Sequence, residues 1–242
     1  MNSLLSVENL GVSFGNRVVI ENLNFQVKSG DTLAVIGPNG SGKTVLLKAL
    51  LGLVPYTGSV RWSDTVRIGY VPQKIEADRQ LPLTIRDLLT AKSRFLKLGA
   101  NDMEAACREV GLSFDLLNAA IGAISGGQFQ KVLIALAWLG SPNTLLFDEP
   151  TASLDELTEE RIYDWLHTTQ TQRSLTVVLV SHDLSVVYRY ANTVLCLSRN
   201  KICIGPPREV LSPQLLEELY SAPPMYYQHI HGGNAAGTSE RE

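Results

Sequence analysis

At 242 residues the chain has room for one large domain, or for a domain carrying an inserted subdomain. Hydrophobic residues make up 45% and charged residues 19%, an ordinary globular balance, and a net charge of −3 gives no cationic surface for wrapping nucleic acid. The longest apolar runs fall far short of the roughly 20 residues that span a bilayer, and the N-terminus lacks the pattern of a signal peptide, so neither a membrane span nor a leader is expected.

Residues 4–28 alternate apolar and polar positions, predicting short antiparallel strands. "DTLAVIG" (31–37) reads as a buried strand entering a glycine loop, "KTVLLKALLGL" (43–53) as a helix, and "TGSVRWSDTVRIGYVPQ" (57–73) as strand and turn. From about Leu81 to Gly140, helix-period apolar stripes replace the strand signals and predict a helical insert. Two buried strands follow, "NTLLFDE" and "SLTVVLVSH", each leading into a helical segment, which is the rhythm of a parallel sheet with crossover helices. A hairpin over 193–204, turning at Arg199-Asn200, and a short helix near 213–220 complete the pattern. The expected fold is α/β, with a mixed or parallel core sheet, an N-terminal antiparallel β subdomain and a helical subdomain at about 81–140. One domain is expected over 1–225, with a flexible tail over 226–242.

Cys107, Cys196 and Cys203 make neither a disulfide framework nor a zinc knuckle. The hairpin register sets Cys196 opposite Cys203, and a pair of half-buried cytosolic thiols is expected there.

"GPNGSGKT" (37–44) follows a strand and precedes a helix, the context of a phosphate loop. Gly37, Gly40 and Gly42 let the loop through Pro38, which has no N–H of its own, turn the N–H groups of Asn39, Gly40, Ser41 and Gly42 toward phosphate at a helix N-terminus. Lys43 is expected to reach the β- and γ-phosphates, and the Thr44 hydroxyl to ligate Mg2+. "TLLFDEPTASLD" (144–155) ends a buried strand in two acids at the sheet edge where such folds bind ligands. Asp148 is expected to hold Mg2+ through water and Glu149 to polarise the attacking water. His182, at the end of the next buried strand, is expected at the same edge as a γ-phosphate contact, and Gln73 as a ligand to Mg2+ or the water. "ISGGQFQKV" (124–132) opens a helix with a second Ser-Gly-Gly run, although the chain already holds a complete phosphate loop.

Phosphate loop, Gln73, "ISGGQ" (124–128), "LLFDEP" (145–150), "SLD" (153–155) and His182, in this order, resemble the nucleotide-binding subunits of ABC transporters over nearly the whole chain. The resemblance implies an ATPase that uses ATP and Mg2+. Phe14 takes the place of the aromatic that stacks on adenine, Glu149 that of the catalytic carboxylate and His182 that of the switch histidine. Ser125, Gly126, Gly127 and Gln128 would close on the ATP held by a second copy of the chain in a head-to-tail homodimer, with Asp155 in the loop that meets the partner. It further implies integral membrane permease subunits, an extracytoplasmic solute-binding protein and a peripheral position on the cytoplasmic face of the membrane. Ile124 and Leu136 depart from the family's usual leucine and arginine. "RIGYVPQKIEADRQLPLTIRDLL" (67–89) and "VLCLSRNKICIGPPREVL" (194–211) are similar to zinc and manganese importers, implying import of a divalent metal. The competing expectations are an iron-siderophore or other solute, or a soluble ABC ATPase. His229 and His231 in the tail are too few for a tetrahedral zinc site.

Overall fold

The computed structural model describes residues 3–73, 82–150, 154–198 and 202–220. Alternating burial along β1 (Ser3–Phe14) and β2 (Arg17–Lys28) makes a hairpin with one face dry, and β4 (Thr57–Trp62) adds to β1 to give a three-stranded antiparallel sheet of order β2-β1-β4. The sequence suggested short strands here. Both are twelve residues long and stay continuous by way of register shifts between β1 and β2.

The second sheet has six strands in the order β5-β6-β7-β3-β8-β9, comprising β3 (Thr32–Ile36), β5 (Ile68–Val71), β6 (Thr144–Asp148), β7 (Thr176–Val180), β8 (Thr193–Leu197) and β9 (Ile202–Gly205). All neighbours are parallel except β8 and β9, which form the antiparallel hairpin. Every residue of β3, β6 and β7 is buried, as expected for strands covered on both faces. Their alternate side chains feed different cores. Leu33 and Val35 pack with β1, β2 and α1 (Lys43–Leu50), whereas Ala34 and Ile36 pack with α6 (Leu184–Tyr190) and α8 (Pro213–Tyr220). The antiparallel sheet is tied to α1 by Trp62, whose indole N–H donates to the Leu50 carbonyl at 2.8 Å and satisfies an acceptor left open at the end of that helix.

The inserted helices are α2 (Ile85–Phe95), α3 (Ala100–Glu109), a 3-10 turn at Phe114–Asn118 and α4 (Gly126–Trp138). A reciprocal Thr84/Asp87 cap starts α2. After β6 comes α5 (Glu156–Arg173), and α7 (Pro207–Val210) is a single turn that periodicity did not show. Trp138, in the part of α4 that departs from the family pattern, meets Trp165 of α5 edge to face at 5.4 Å, with the Arg173 guanidinium over the Trp138 ring. Leu136 is half-buried against the same core.

The expected register of the last hairpin holds, since Cys196 pairs directly with Cys203. The thiols do not: the two sulfurs are joined in a disulfide. With Cα atoms 4.9 Å apart, direct cross-strand pairing brings the residues within bridging reach, whereas the sequence argument weighed compartment more than distance. Cys196 is fully buried, Cys203 half-buried, and Cys107 is a buried free thiol. The turn at Arg199-Asn200, residues 74–81, Ser153 and the tail with His229 and His231 lie outside the described residues.

Gly69 of β5 lies under the end of α4. A Cβ there would stand 2.4 Å from the Ala137 carbonyl oxygen and 2.6 Å from Leu145 Cδ2. Gly69→Ala is therefore expected to lower stability by about 1–3 kcal/mol through overpacking, read as a lower urea midpoint with an unchanged slope.

Candidate nucleotide site

The site begins where β3 ends. Gly37 has φ 150°, and a Cβ at this position would lie 2.0 Å from the Leu197 carbonyl oxygen of β8. Gly42, at φ 103°, is the residue from which α1 starts, and its own missing Cβ leaves room for Val19 of β2. Between them Pro38, Asn39, Gly40 and Ser41 make a tight turn closed by the Ser41 N–H donating to the Pro38 carbonyl. Ser41 Oγ is buried and without a hydrogen-bond partner. A buried hydroxyl left so is costly, and a phosphate oxygen would relieve it.

Lys43 is only 6% exposed, and its ammonium donates to the Gly37 carbonyl at 2.9 Å and the Pro38 carbonyl at 3.2 Å. It lies 3.6 Å from Glu149 Oε1, whose other oxygen accepts from Gln73 Nε2 at 2.7 Å. Thr44 Oγ1 donates to Asp148 Oδ1 at 3.0 Å, and the Tyr70 hydroxyl reaches Asp148 Oδ2 at 3.5 Å. Burial raises the Asp148 pKa above the usual carboxylate range, opposed by the Thr44 hydrogen bond, while Tyr70 is pushed up to about 12 by burial and then by the Asp148 charge. Glu149 adopts φ 46°, a left-handed conformation costing a non-glycine residue about 1–3 kcal/mol. Its N–H donates to the Val180 carbonyl of the adjacent strand. The hydroxyl of Thr44, the carboxylate of Asp148 and the amide of Gln73 are oxygen donors of the kind that suits Mg2+.

A cavity of about 570 Å3 opens beside these groups. Phe14, Asn39, Gly40, Gly42, Lys43, Thr44, Gln73 and Glu149 line it, and Phe14 is 49% exposed, presenting an open aromatic face. Arg17, Val19 and Val45 also line it and were missed from sequence. Direct pairing of Phe14 with Arg17 across the hairpin was the signal available for Arg17. Tyr70 was missed as well, although β5 and β6 pair Tyr70 with Leu146, two residues before Asp148.

His182 follows β7 at the expected edge, since Asp148 and Val180 are paired there. Its side chain is exposed and is not part of the cavity wall. Ser125, Gly126, Gly127, Gln128 and Asp155 are not there either. They line a second cavity of about 480 Å3 that shares no residue with the first. Ser125 Oγ accepts from the Gln128 N–H at 3.2 Å, and Gln128 Oε1 accepts from the Ser125 N–H at 2.9 Å. This capping box occupies both side chains and leaves the Gly126 and Gly127 N–H groups of the first helical turn without intrahelical acceptors, a ready anion site. Asp155 caps α5 in turn, accepting from the Thr158 N–H at 3.0 Å and its hydroxyl at 2.8 Å, which depresses the Asp155 pKa.

A dry cation at a glycine turn, an aromatic face and a buried aspartate beside a threonine hydroxyl are groups that would suit a nucleoside triphosphate. The ABC transporter family profile matches residues 20–152. The chain belongs to the ABC transporter family. It is 36% identical to the zinc import ATP-binding protein ZnuC of Pseudomonas fluorescens, over 97% of this chain and 89% of that protein. Identity to ZnuC of Pseudomonas putida is also 36%, over 95% and 89% of the two chains. Among solved structures it resembles an inward-facing metal-chelate type ABC transporter, with TM-score 0.83, 30% identity and coverage of 92% and 90%. It also resembles cbiO1 of Clostridium perfringens, part of the ABC transporter complex cbiONQ, with TM-score 0.73, 25% identity and coverage of 86% and 90%. As an ABC ATP-binding protein the chain is an ATPase.

Ser125→Ala is expected to cost about 1 kcal/mol of stability through loss of the α4 cap. ATP affinity of the isolated chain should remain unchanged, because Ser125 is absent from the Lys43 cavity. Urea unfolding and a fluorescent ATP analogue check the two halves separately. For Asp155 the folded pKa is depressed, so its contribution to α5 is complete above the ordinary carboxylate range and is lost as pH falls through the depressed value. Protection of the first-turn amides of α5, corrected for the intrinsic pH dependence of exchange, should therefore hold constant from neutral pH to the ordinary range and fall only below it.

Proposed function

We propose that the chain is the energising subunit of a divalent-metal importer, with zinc or manganese as cargo, and works as a head-to-tail homodimer with two composite ATP sites. The observation that carries the dimer is the separation of the Lys43 and Ser125 cavities within one chain. Each is half a phosphate site: one holds the lysine and carboxylates, the other two free N–H groups at a helix start. A twofold axis brings the Ser125 half of one copy against the Lys43 half of the other, and ATP between them acts as the adhesive.

In the closed dimer, Phe14 stacks on the adenine and the phosphate loop wraps the phosphates. Lys43 exchanges its carbonyl partners for β- and γ-phosphate oxygens, which also draws it off Glu149. Thr44, Asp148 and Gln73 would hold Mg2+, which neutralises phosphate charge when bound. Glu149, freed from Lys43 and oriented by Gln73, takes a proton from the attacking water. His182 reaches the γ-phosphate from the neighbouring strand end, and Asp155 meets the partner beside Ser125. Dimer opening after hydrolysis is passed to integral membrane permease subunits on the cytoplasmic face of the membrane, supplied by an extracytoplasmic solute-binding protein. Among the described residues no helix is long and apolar enough to cross a membrane, so the path for the metal comes from those partners. The ZnuC relatives support zinc as the cargo. The likeness to a metal-chelate type transporter supports a second reading, in which the cargo is a chelated metal.

Glu149→Gln should slow hydrolysis about 10²–10⁴-fold while retaining ATP, and should accumulate as a dimer in ATP-Mg2+. A monomer at saturating ATP-Mg2+ in size-exclusion chromatography would contradict the composite site. Cells lacking this chain should take up less radiolabelled zinc or manganese at scarce supply, and the wild type but not Glu149→Gln should restore uptake. Unchanged uptake of both ions together with lost uptake of a ferric chelate would move the assignment to the second reading.

A further inference from the structure

We propose that a cavity between the α3–α4 corner and α5 is a binding site for a small organic anion, a carboxylate carried on an aromatic or branched apolar body. The cavity measures about 280 Å3 and shares no lining residue with the nucleotide cavity. Its apolar lining is Val110, Ile134, Ile162 and Trp165, a surface from which a fully hydrated inorganic anion gains nothing. The charged groups around it are unbalanced. Glu109 is the one acid among the lining residues, and it is taken by Arg173 at 2.8 Å. Of the cations, Arg108 is shared with Glu104 at 3.4 Å. Lys131 gives one hydrogen bond to the Gly111 carbonyl at 3.1 Å and, like Arg161, forms no ion pair among the described residues.

An incoming carboxylate pairs with Arg161 and Lys131, while its apolar body covers Ile134, Ile162 and the Trp165 indole ring. The planar fork of Arg161 suits a carboxylate better than a spherical anion.

The position gives such a ligand a consequence. Gly111 and Lys131 line both this cavity and the Ser125 cavity, and the walls come from α4 and α5. A molecule bound here ties the helical insert to the helix that follows β6, next to the groups that would meet the partner's ATP. Binding is read on the isolated full chain without permease or metal, so its outcome is independent of the transport reading.

Calorimetry and tryptophan fluorescence with benzoate as the probe test the proposal, with benzyl alcohol as its uncharged analogue. Benzoate should bind saturably, one per chain, and benzyl alcohol about tenfold or more weaker. Arg161→Ala should weaken benzoate about tenfold or more, the loss expected for one charge-assisted hydrogen bond, while Arg161→Lys keeps more of the affinity than Arg161→Ala. Saturating ADP should not displace benzoate. Equal binding of benzyl alcohol, indifference to Arg161→Ala in a chain with unchanged circular dichroism, displacement by ADP, or no saturation at about 10 mM, where binding would be weaker than about 3 kcal/mol, would each overturn it.

Discussion

The structure is organised around one desolvated charge. The Lys43 ammonium is almost fully removed from water, and a buried cation is tolerated only when its donors are met. Two of them go to the Gly37 and Pro38 carbonyls, with Glu149 facing the same ammonium. Each partner is itself tightly specified. Gly37 is pressed against the Leu197 carbonyl, and Glu149 is held in a left-handed conformation by its place after β6. The all-buried strands β3, β6 and β7 therefore act as a rigid frame whose edge delivers a cation, two carboxylates and a hydroxyl within a few ångströms.

The Gln73–Glu149–Lys43 chain is a closed charge arrangement. Glu149 Oε2 accepts from Gln73 and Oε1 faces Lys43, so both carboxylate oxygens have partners. In the proposed mechanism a triphosphate would compete for the lysine and release the carboxylate, coupling substrate binding to the availability of a base. Gln73 follows β5 and precedes the inserted helices in the chain, so the same contact ties Glu149 to the strand end that leads toward them.

How much of this was legible depended on whether the chemistry needed neighbours in sequence. A phosphate loop must be contiguous because consecutive N–H groups cradle one ligand, and residues 37–44 were read without the fold. Asp148 and Glu149 were legible for a similar reason, because a strand end places both at one edge. Arg17 and Val19 reach the cavity, and Tyr70 reaches Asp148, through the pairing of strands, and no local spacing announces that. The Ser-Gly-Gly-Gln run shows a third case. Its spacing is that of a capping box, which the sequence displays plainly, yet the phosphate reading drew attention away from it. The cysteine pair failed differently: register was right, but bond formation depends on distance, and composition carries none.

The close approach of Gly69 to the Ala137 carbonyl fixes one end of α4 against the core sheet. The helix has 13 residues, so Ser125 stands about 20 Å from that fulcrum. Tilting the helix by about ten degrees sweeps Ser125 through roughly 3 Å, the length of one hydrogen bond. With no side chain at Gly69, α4 approaches β5 closely, and in the proposed composite site a small tilt about that contact would carry Ser125 through about one hydrogen-bond length.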